Sequence, residues 1–204
     1  MRVVRVLVAI ALLGAAVACS SDASSTPTGA HAISIAGHKA VELGTGTTAV
    51  VMIHGATTHK DSFYPLMPAL AAASYWCIAY DYDSSGSADV AEIVAYARTH
   101  GAHQIVLIGS SLGAQHALEA ADSLHVNAVV AFSAEVERTV REPLLAIASA
   151  HDGNTVTYAT QNVHNAGPKS QLTIVSGSTH GIDLVNPHPE AKATVTKWLA
   201  KVLG

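Results

Sequence analysis

Short apolar runs alternate with longer amphipathic or alanine-rich segments from residue 31 to the end of the chain. The runs do not alternate with polar residues and are rich in β-branched side chains, which is typical of strands buried on both faces. The apolar runs are 49–53, 76–80, 104–108, 128–132, 144–148 and 172–175. The intervening segments, each long enough for about three helical turns or more, are 62–73, 88–100, 112–124, 154–166 and 190–202. Residues 30–43 can add two antiparallel strands that turn at Gly37. This alternation predicts a three-layer α/β fold, with helices on both faces of a mostly parallel sheet.

Composition excludes several classes of protein. The chain has 204 residues, of which 50% are hydrophobic and 13% charged, whereas an average soluble protein has about 25% charged residues. Disorder requires low hydrophobicity and high net charge, and nucleic-acid binding requires an excess of Lys and Arg, yet the formal net charge is −4. Two cysteines are too few for a disulfide framework or a four-cysteine zinc site. A single globular domain with a large core remains.

The N-terminus has the features of an export signal. Arg2 and Arg5 precede an apolar run over 6–17 that is too short to span a bilayer, which predicts a secretory signal peptide at 1–18. The ending Ala-Val-Ala-Cys at 16–19 resembles the bacterial lipoprotein signal. That resemblance implies that Cys19 is lipidated and anchors the protein to a membrane of the bacterial cell envelope, outside the cytoplasm. Cleavage after residue 18 without lipidation would instead give a secreted protein. Residues 19–30 are polar and small, which predicts a flexible tether before a folded domain at 31–204.

The most informative motif lies where a predicted strand meets a predicted helix. The run 104–108 leads into Gly109-Ser110-Ser111-Leu112-Gly113 and then directly into the segment 112–124. A Gly-x-Ser-x-Gly sequence between a strand and a helix places the serine hydroxyl on a sharp turn, and the free amides of the helix N-terminus can stabilise a developing oxyanion. Here the chain resembles the α/β-hydrolase family, and within it the small capless esterases and dienelactone-hydrolase-like members. By this spacing Ser111 is the nucleophile.

The same resemblance implies a triad in the chain order serine, acid, histidine. Asp152 follows the run 144–148, and His180 lies in a glycine-flanked loop after the run 172–175, so both follow a strand where α/β sheets gather functional groups. His180 is expected to act as the general base and Asp152 to orient it. Glu135 and Asp183 are alternative acids. Glu135 is the stronger of the two, because some relatives place the acid one strand earlier.

The strand 49–53 is followed by His54-Gly55-Ala56-Thr57, which resembles the His-Gly turn of the family. The resemblance implies that the backbone N–H groups of Ala56 and Leu112 form the oxyanion hole, with Thr57 as the alternative to Ala56. Only about ten residues join the run 128–132 to the next one, a typical connection length that leaves no room for a cap domain. We therefore expect a shallow, open site. Some of three aromatic residues, Phe63, Tyr64 and Tyr82, are expected to line it.

No cofactor or metal is indicated, because the 12 histidines form neither a His-Glu-x-x-His motif nor a Cys/His set at zinc spacing. The expected function is hydrolysis of small carboxylic esters or thioesters through an acyl-serine. The partners are then a small-molecule ester and, through Cys19, a membrane; no nucleic acid is expected. Two alternatives stay open: an acyltransferase that uses the same triad, and a catalytically silent binding lipoprotein on the same fold.

Overall fold

The computed structural model describes residues 25–82 and 86–204. The predicted signal peptide and Cys19 lie outside the described residues. The described strands form one sheet in the order β1-β2-β4-β3-β5-β6-β7-β8, in which β2 is antiparallel to both neighbours and all other pairs are parallel. The strands are β1 His31–Ile35, β2 His38–Leu43, β3 Thr48–Ile53, β4 Trp76–Tyr80, β5 Gln104–Ser110, β6 Ala128–Phe132, β7 Leu144–Ser149 and β8 Gln171–Val175. The α-helices are α1 Met67–Ala72, α2 Ser87–Thr99, α3 Leu112–Leu124, α4 Thr155–His164 and α5 Pro189–Leu203.

The sheet separates two apolar cores, and strand β3 shows how. Its residues Ala49, Val51 and Ile53 belong to the core that also contains side chains of α2, α3 and α4. Val50 and Met52 point the opposite way, into the core that contains side chains of α1 and α5. Helices on both faces explain why the strand is apolar at consecutive positions. The predicted three-layer α/β fold is confirmed.

Two local predictions differ from the structure. The helix expected at 62–73 is divided into a 3-10 turn, Lys60–Phe63, and the short helix α1. Pro65 lies between them and has no N–H to continue a helical hydrogen-bond ladder. Pro68 occupies the first turn of α1, where the missing N–H costs nothing. A further 3-10 turn, Gly181–Val185, was not predicted.

The connection 133–143 between β6 and β7 is fully described and contains no helix or strand, so no cap domain is inserted there. Within the described part of the chain, no helix has the length and apolar character needed to cross a membrane. All parallel strands end at the same edge of the sheet. The segments that follow β3, β5, β6, β7 and β8 therefore converge at that edge.

Candidate active site

The turn between β5 and α3 holds Ser111 in a strained conformation. Its φ is 53° and its ψ is −117°, a combination that non-glycine residues rarely adopt. Close approach of the backbone explains the two glycines. A Cβ atom on Gly113 would collide with the carbonyl oxygens of Ile53 and His54. One on Gly109 would collide with the backbone of the first turn of α3. The two glycines of the Gly-x-Ser-x-Gly pattern are therefore required by close backbone packing around the turn between β5 and α3.

Ser111, His180 and Asp152 form one chain of hydrogen bonds. The Ser111 hydroxyl lies 2.9 Å from His180 Nε2. On the other side of the ring, Nδ1 lies 2.8 and 2.9 Å from the two carboxylate oxygens of Asp152. With the proton on Nδ1, the imidazole donates to Asp152 and its free Nε2 accepts from the serine. This arrangement can remove a proton from a serine hydroxyl and support the resulting imidazolium.

Loop geometry fixes the position of the acid and of the histidine. Asp152 lies in a turn directly after β7, where its carbonyl oxygen accepts a 2.7 Å hydrogen bond from the Thr155 hydroxyl at the start of α4. The loop after β8 is attached to β7, because the Ser149 hydroxyl donates a 2.6 Å bond to the carbonyl of Thr179. Asp152 is mostly buried, with its side chain 13% exposed, whereas the His180 ring is 40% exposed. A buried acid and an accessible base suit a reaction with a solvent-borne substrate.

Two further buried serines, to which the sequence analysis assigns no role, hold the residues after His180. The Ser133 hydroxyl donates to Asp152 at 2.8 Å and accepts the Gly181 amide at 2.9 Å. The Ser110 hydroxyl accepts the Ile182 amide at 2.9 Å. Like Ser149, both of these serines are polar residues at or just after the end of an apolar strand. A polar residue at that position was the signal that could have found them.

The alternative acids are placed differently. Both contacts of His180 Nδ1 go to Asp152, while Glu135 is an exposed residue of the 133–143 connection. Asp183 is also exposed and lies in the 3-10 turn after His180, where it lines a cavity beside Ser111.

The cavity beside Ser111 has a volume of about 380 Å³, and the turn after β3 forms part of its wall. In that turn the Gly55 amide bonds the Thr58 hydroxyl at 3.0 Å, and the Thr58 amide bonds the Gly55 carbonyl at 3.3 Å. Ala56 and Thr57 form the tip between them. On the other side of the serine, Leu112 is the first residue of α3, where a backbone N–H has no acceptor within the helix. The lining residues are Gly55, Ala56, Thr57, Thr58, Ser110, Ser111, His180, Gly181, Ile182 and Asp183.

The expectation that aromatic residues line this cavity is wrong. Phe63 and Tyr64 are buried in the core on the α1 and α5 face, because the 3-10 turn that carries Phe63 packs against the sheet. Tyr82 stacks on the ring of His54, with centroids 4.1 Å apart. The cavity wall is formed by small and polar residues instead.

His54 is a buried, neutral part of the turn. Burial lowers the pKa of its imidazole, and this effect exceeds the opposing effect of the 2.7 Å bond from Nδ1 to the Gly55 carbonyl. The Tyr82 amide approaches Nε2 at 3.4 Å. The ring therefore supports the turn rather than carrying charge.

One cluster beside this turn combines residue types that bind metal ions. His54, His59 and Asp81 each offer a ligand atom, all within 4.8 Å of one another. Asp81 already contacts the Lys60 ammonium and accepts the Lys60 amide at 2.9 Å. Burial opposes ionisation of Asp81, but these Lys60 interactions outweigh it and lower its pKa. Lys60 thus supplies the positive charge that a metal ion would bring.

Comparisons with known proteins agree with this architecture. No curated protein sequence is significantly similar to this chain. A Pyrococcus furiosus esterase superposes with a TM-score of 0.70 at 15% identity, covering 86% of this chain and 91% of its own. A Paleococcus ferrophilus monoacylglycerol lipase gives 0.69 at 13% identity, over 80% and 98% of the two chains. The esterase domain of a Rhodothermus marinus protein gives 0.71 at 14% identity, over 86% and 98%. At these identities the likeness concerns the fold.

The sequence model of the alpha/beta hydrolase family matches residues 50–161, from β3 through most of α4 and across the serine turn. Because this match spans more than half of the chain, the protein belongs to the alpha/beta hydrolase family and is a hydrolase.

Proposed function

We propose that the protein hydrolyses carboxylic esters of small or exposed acyl groups through an acyl-serine intermediate. The observation that carries this proposal is the hydrogen-bond chain from the Ser111 hydroxyl through both nitrogens of His180 to Asp152, at 2.8 to 2.9 Å. Each contact has the length that proton transfer requires. The open cavity of about 380 Å³ beside the serine suits a small ester.

The reaction would proceed in two balanced halves. Ser111 Oγ attacks the ester carbonyl carbon while its proton passes to His180 Nε2. The tetrahedral intermediate then expels the alcohol, which takes that proton and leaves an acyl-serine. Water attacks the acyl carbon as His180 removes its proton, and collapse of this second intermediate releases the acid and returns the proton to Ser111. Asp152 stays ionised and stabilises the imidazolium in both halves. A thioester would follow the same steps with a thiol as the leaving group.

The backbone amides of Ala56 and Leu112 would bind the oxyanion. Ala56 lies at the tip of the turn after β3, and Leu112 begins the helix that follows the serine. Amides in such positions are fixed before the reaction, so they stabilise the developing charge without reorganisation. Thr57, the neighbouring residue of the same tip, is the alternative donor.

The site favours hydrolysis over the two alternative functions. The His180 side chain is 40% exposed, so water reaches the base directly and an acyl-serine would not be shielded from it. In an acyltransferase, an acceptor alcohol must attack the acyl-serine in preference to water. A silent binding protein would have no need of a strained serine held at hydrogen-bond distance from a histidine.

A fluorophosphonate probe tests the proposal. We expect covalent labelling of the wild type and of Ser123→Ala, an exposed serine on α3, and no labelling of Ser111→Ala. Hydrolysis of p-nitrophenyl acetate should fall at least about 10³-fold in Ser111→Ala. Failure of the folded wild type to react would support the binding alternative. Formation of a new ester, rather than free acid, in the presence of an added alcohol would identify a transferase.

We further propose that Cys19 is lipidated and holds the enzyme at the bacterial cell envelope, outside the cytoplasm. The support is the sequence alone: the charged and apolar leader followed by Ala-Val-Ala-Cys at 16–19. Expression of the full chain in bacteria with labelled palmitate should give a labelled, membrane-bound protein. Cys19→Ser should be unlabelled. Equal membrane attachment of both proteins would overturn the proposal.

A further inference from the structure

Small side chains form most of the wall of the cavity beside Ser111. Among its described lining residues, two are glycines and five have Ala, Thr or Ser side chains. Ile182 is the largest aliphatic lining residue, yet it is 1% exposed and offers almost no apolar area. None of the described lining residues therefore presents a large, exposed apolar side chain to a ligand.

Asp183 is the one acidic residue among the described residues that line the cavity. It is exposed, and it forms no ion pair with another described residue. Lys and Arg do not occur in the described lining. While His180 is neutral, Asp183 therefore carries the one formal charge among the described lining residues.

The backbone turn that carries this carboxylate is held next to the reacting residues. Asp183 lies in the turn Gly181–Val185, whose first two amides are held by the buried hydroxyls of Ser133 and Ser110. Ser110 directly precedes the nucleophile in the chain. The turn directly follows His180, and Asp183 lines the same cavity as Ser111.

From these observations we propose that the enzyme prefers esters that carry a positively charged ammonium group, and that Asp183 determines this preference. The inference rests on the proposed esterase function and adds the charge of the substrate to it. An ammonium group near the carboxylate would be attracted in the ground state and the transition state alike, so the preference should appear mainly in KM.

The test compares two acetate esters of nearly equal shape. Acetylcholine carries a trimethylammonium group, and 3,3-dimethylbutyl acetate carries a neutral tert-butyl group in its place. For the wild type at low ionic strength, we expect kcat/KM for acetylcholine to exceed that for the neutral ester about threefold to fivefold, the range of an exposed ion pair. Added salt should reduce the ratio, because such charges are screened.

Variants assign the preference to one side chain. In Asp183→Asn the ratio should fall to about one, and in Asp183→Lys it should invert. Glu92→Gln, on α2 outside the cavity lining, changes the net charge equally and should leave the ratio at its wild-type value. A wild-type ratio near one, or a ratio that survives Asp183→Asn, would overturn the inference. If neither ester nor p-nitrophenyl acetate is hydrolysed, the esterase function itself fails, which is a different outcome.

Discussion

The hydroxyl of Ser133 donates a 2.8 Å hydrogen bond to Asp152 Oδ2. The Ser133 hydroxyl oxygen also accepts a 2.9 Å hydrogen bond from the amide of Gly181, so one buried side chain connects the acid to the loop that carries the histidine. Ser133 is 0% exposed and has a positive φ of 48° at the end of β6. A strained backbone conformation is maintained here where it aims a hydroxyl at a functional carboxylate.

Replacement of Ser133 by Ala should impair catalysis more than substrate binding. The variant loses the bond to Asp152 and leaves the Gly181 amide buried without an acceptor, which costs about 1–3 kcal/mol of stability. Because Ser133 does not line the cavity, we expect kcat to fall about tenfold or more while KM changes little. Kinetics with p-nitrophenyl acetate and urea unfolding measure both effects. Ser123→Ala, which removes a surface hydroxyl, is the matched control, and an unchanged kcat in Ser133→Ala would contradict the positioning role.

The alternation of apolar runs was sufficient to predict the sheet and most of the helices. Runs such as 128–132 and 144–148 are buried on both faces by helices, so their composition reports the layer architecture directly. The serine turn was equally visible, because both glycines lie two residues from Ser111 and form one contiguous motif with it. Gly109 is required by backbone contacts with Gly113 and Ala114, and Gly113 by contacts with Ile53 and His54.

The features that escaped prediction depend on contacts between distant parts of the chain. Ser110 meets Ile182 and Ser133 meets Gly181 only after the sheet has formed. The lining of the cavity is of the same type. Tyr82 follows a strand that ends at the correct edge, yet its ring stacks on His54 and does not reach the cavity lining. No periodicity encodes which of two nearby surfaces a side chain will cover.

Gly113→Ala should severely destabilise the fold. The added Cβ would collide with the carbonyl oxygens of Ile53 and His54, which belong to the central strand and to the turn after it. Backbone atoms of a buried strand cannot move aside as a flexible side chain does, so we expect a loss of about 3 kcal/mol or more. Gly37→Ala is the comparison: its φ of 95° is strained, but no atom lies within 4 Å of the new Cβ, which limits the cost to about 1–2 kcal/mol. Urea unfolding measures the loss of stability in each variant. Similar losses in the two would show that the backbone moves enough to relieve the collision at Gly113.

The imidazole of His54 should remain neutral at pH 6.5, with its proton on Nδ1. Burial lowers its pKa below 6.5, the ordinary value. The unfolded chain therefore takes up this proton first, and acidification below about pH 6.5 costs stability through His54. Nitrogen-15 chemical shifts of the ring report both the tautomer and its titration, and a His54→Gln variant assigns the resonance. A titration midpoint at or above pH 6.5 would contradict the structure.

Glu142 and Asp122 form a carboxyl pair at the end of the sheet opposite the active site. Burial raises the pKa of Glu142 above its ordinary value of 4.5, and the neighbouring Asp122 adds to the rise. The pKa of Asp122 is lowered, first by the Arg141 amide, which donates to it at 3.0 Å, and then by Glu142. Glu142 Oε2 is buried and has no hydrogen-bond partner among the described residues. The protonated form of Glu142 therefore suits this buried position better than the carboxylate does.

Glu142→Gln should stabilise the protein at neutral pH but not in acid. Since the pKa of Glu142 is raised on folding, its contribution to stability is complete below about pH 4.5 and is lost as the pH rises through the folded-state pKa. Glutamine keeps a donor towards Asp122 and never ionises. We expect a gain of up to about 1 kcal/mol near pH 7 that shrinks towards zero near pH 4. Urea unfolding across this range measures the difference, with the exposed Glu137→Gln as a control that should show no such trend. A gain independent of pH would mean that packing, and not the charge of Glu142, separates the two proteins.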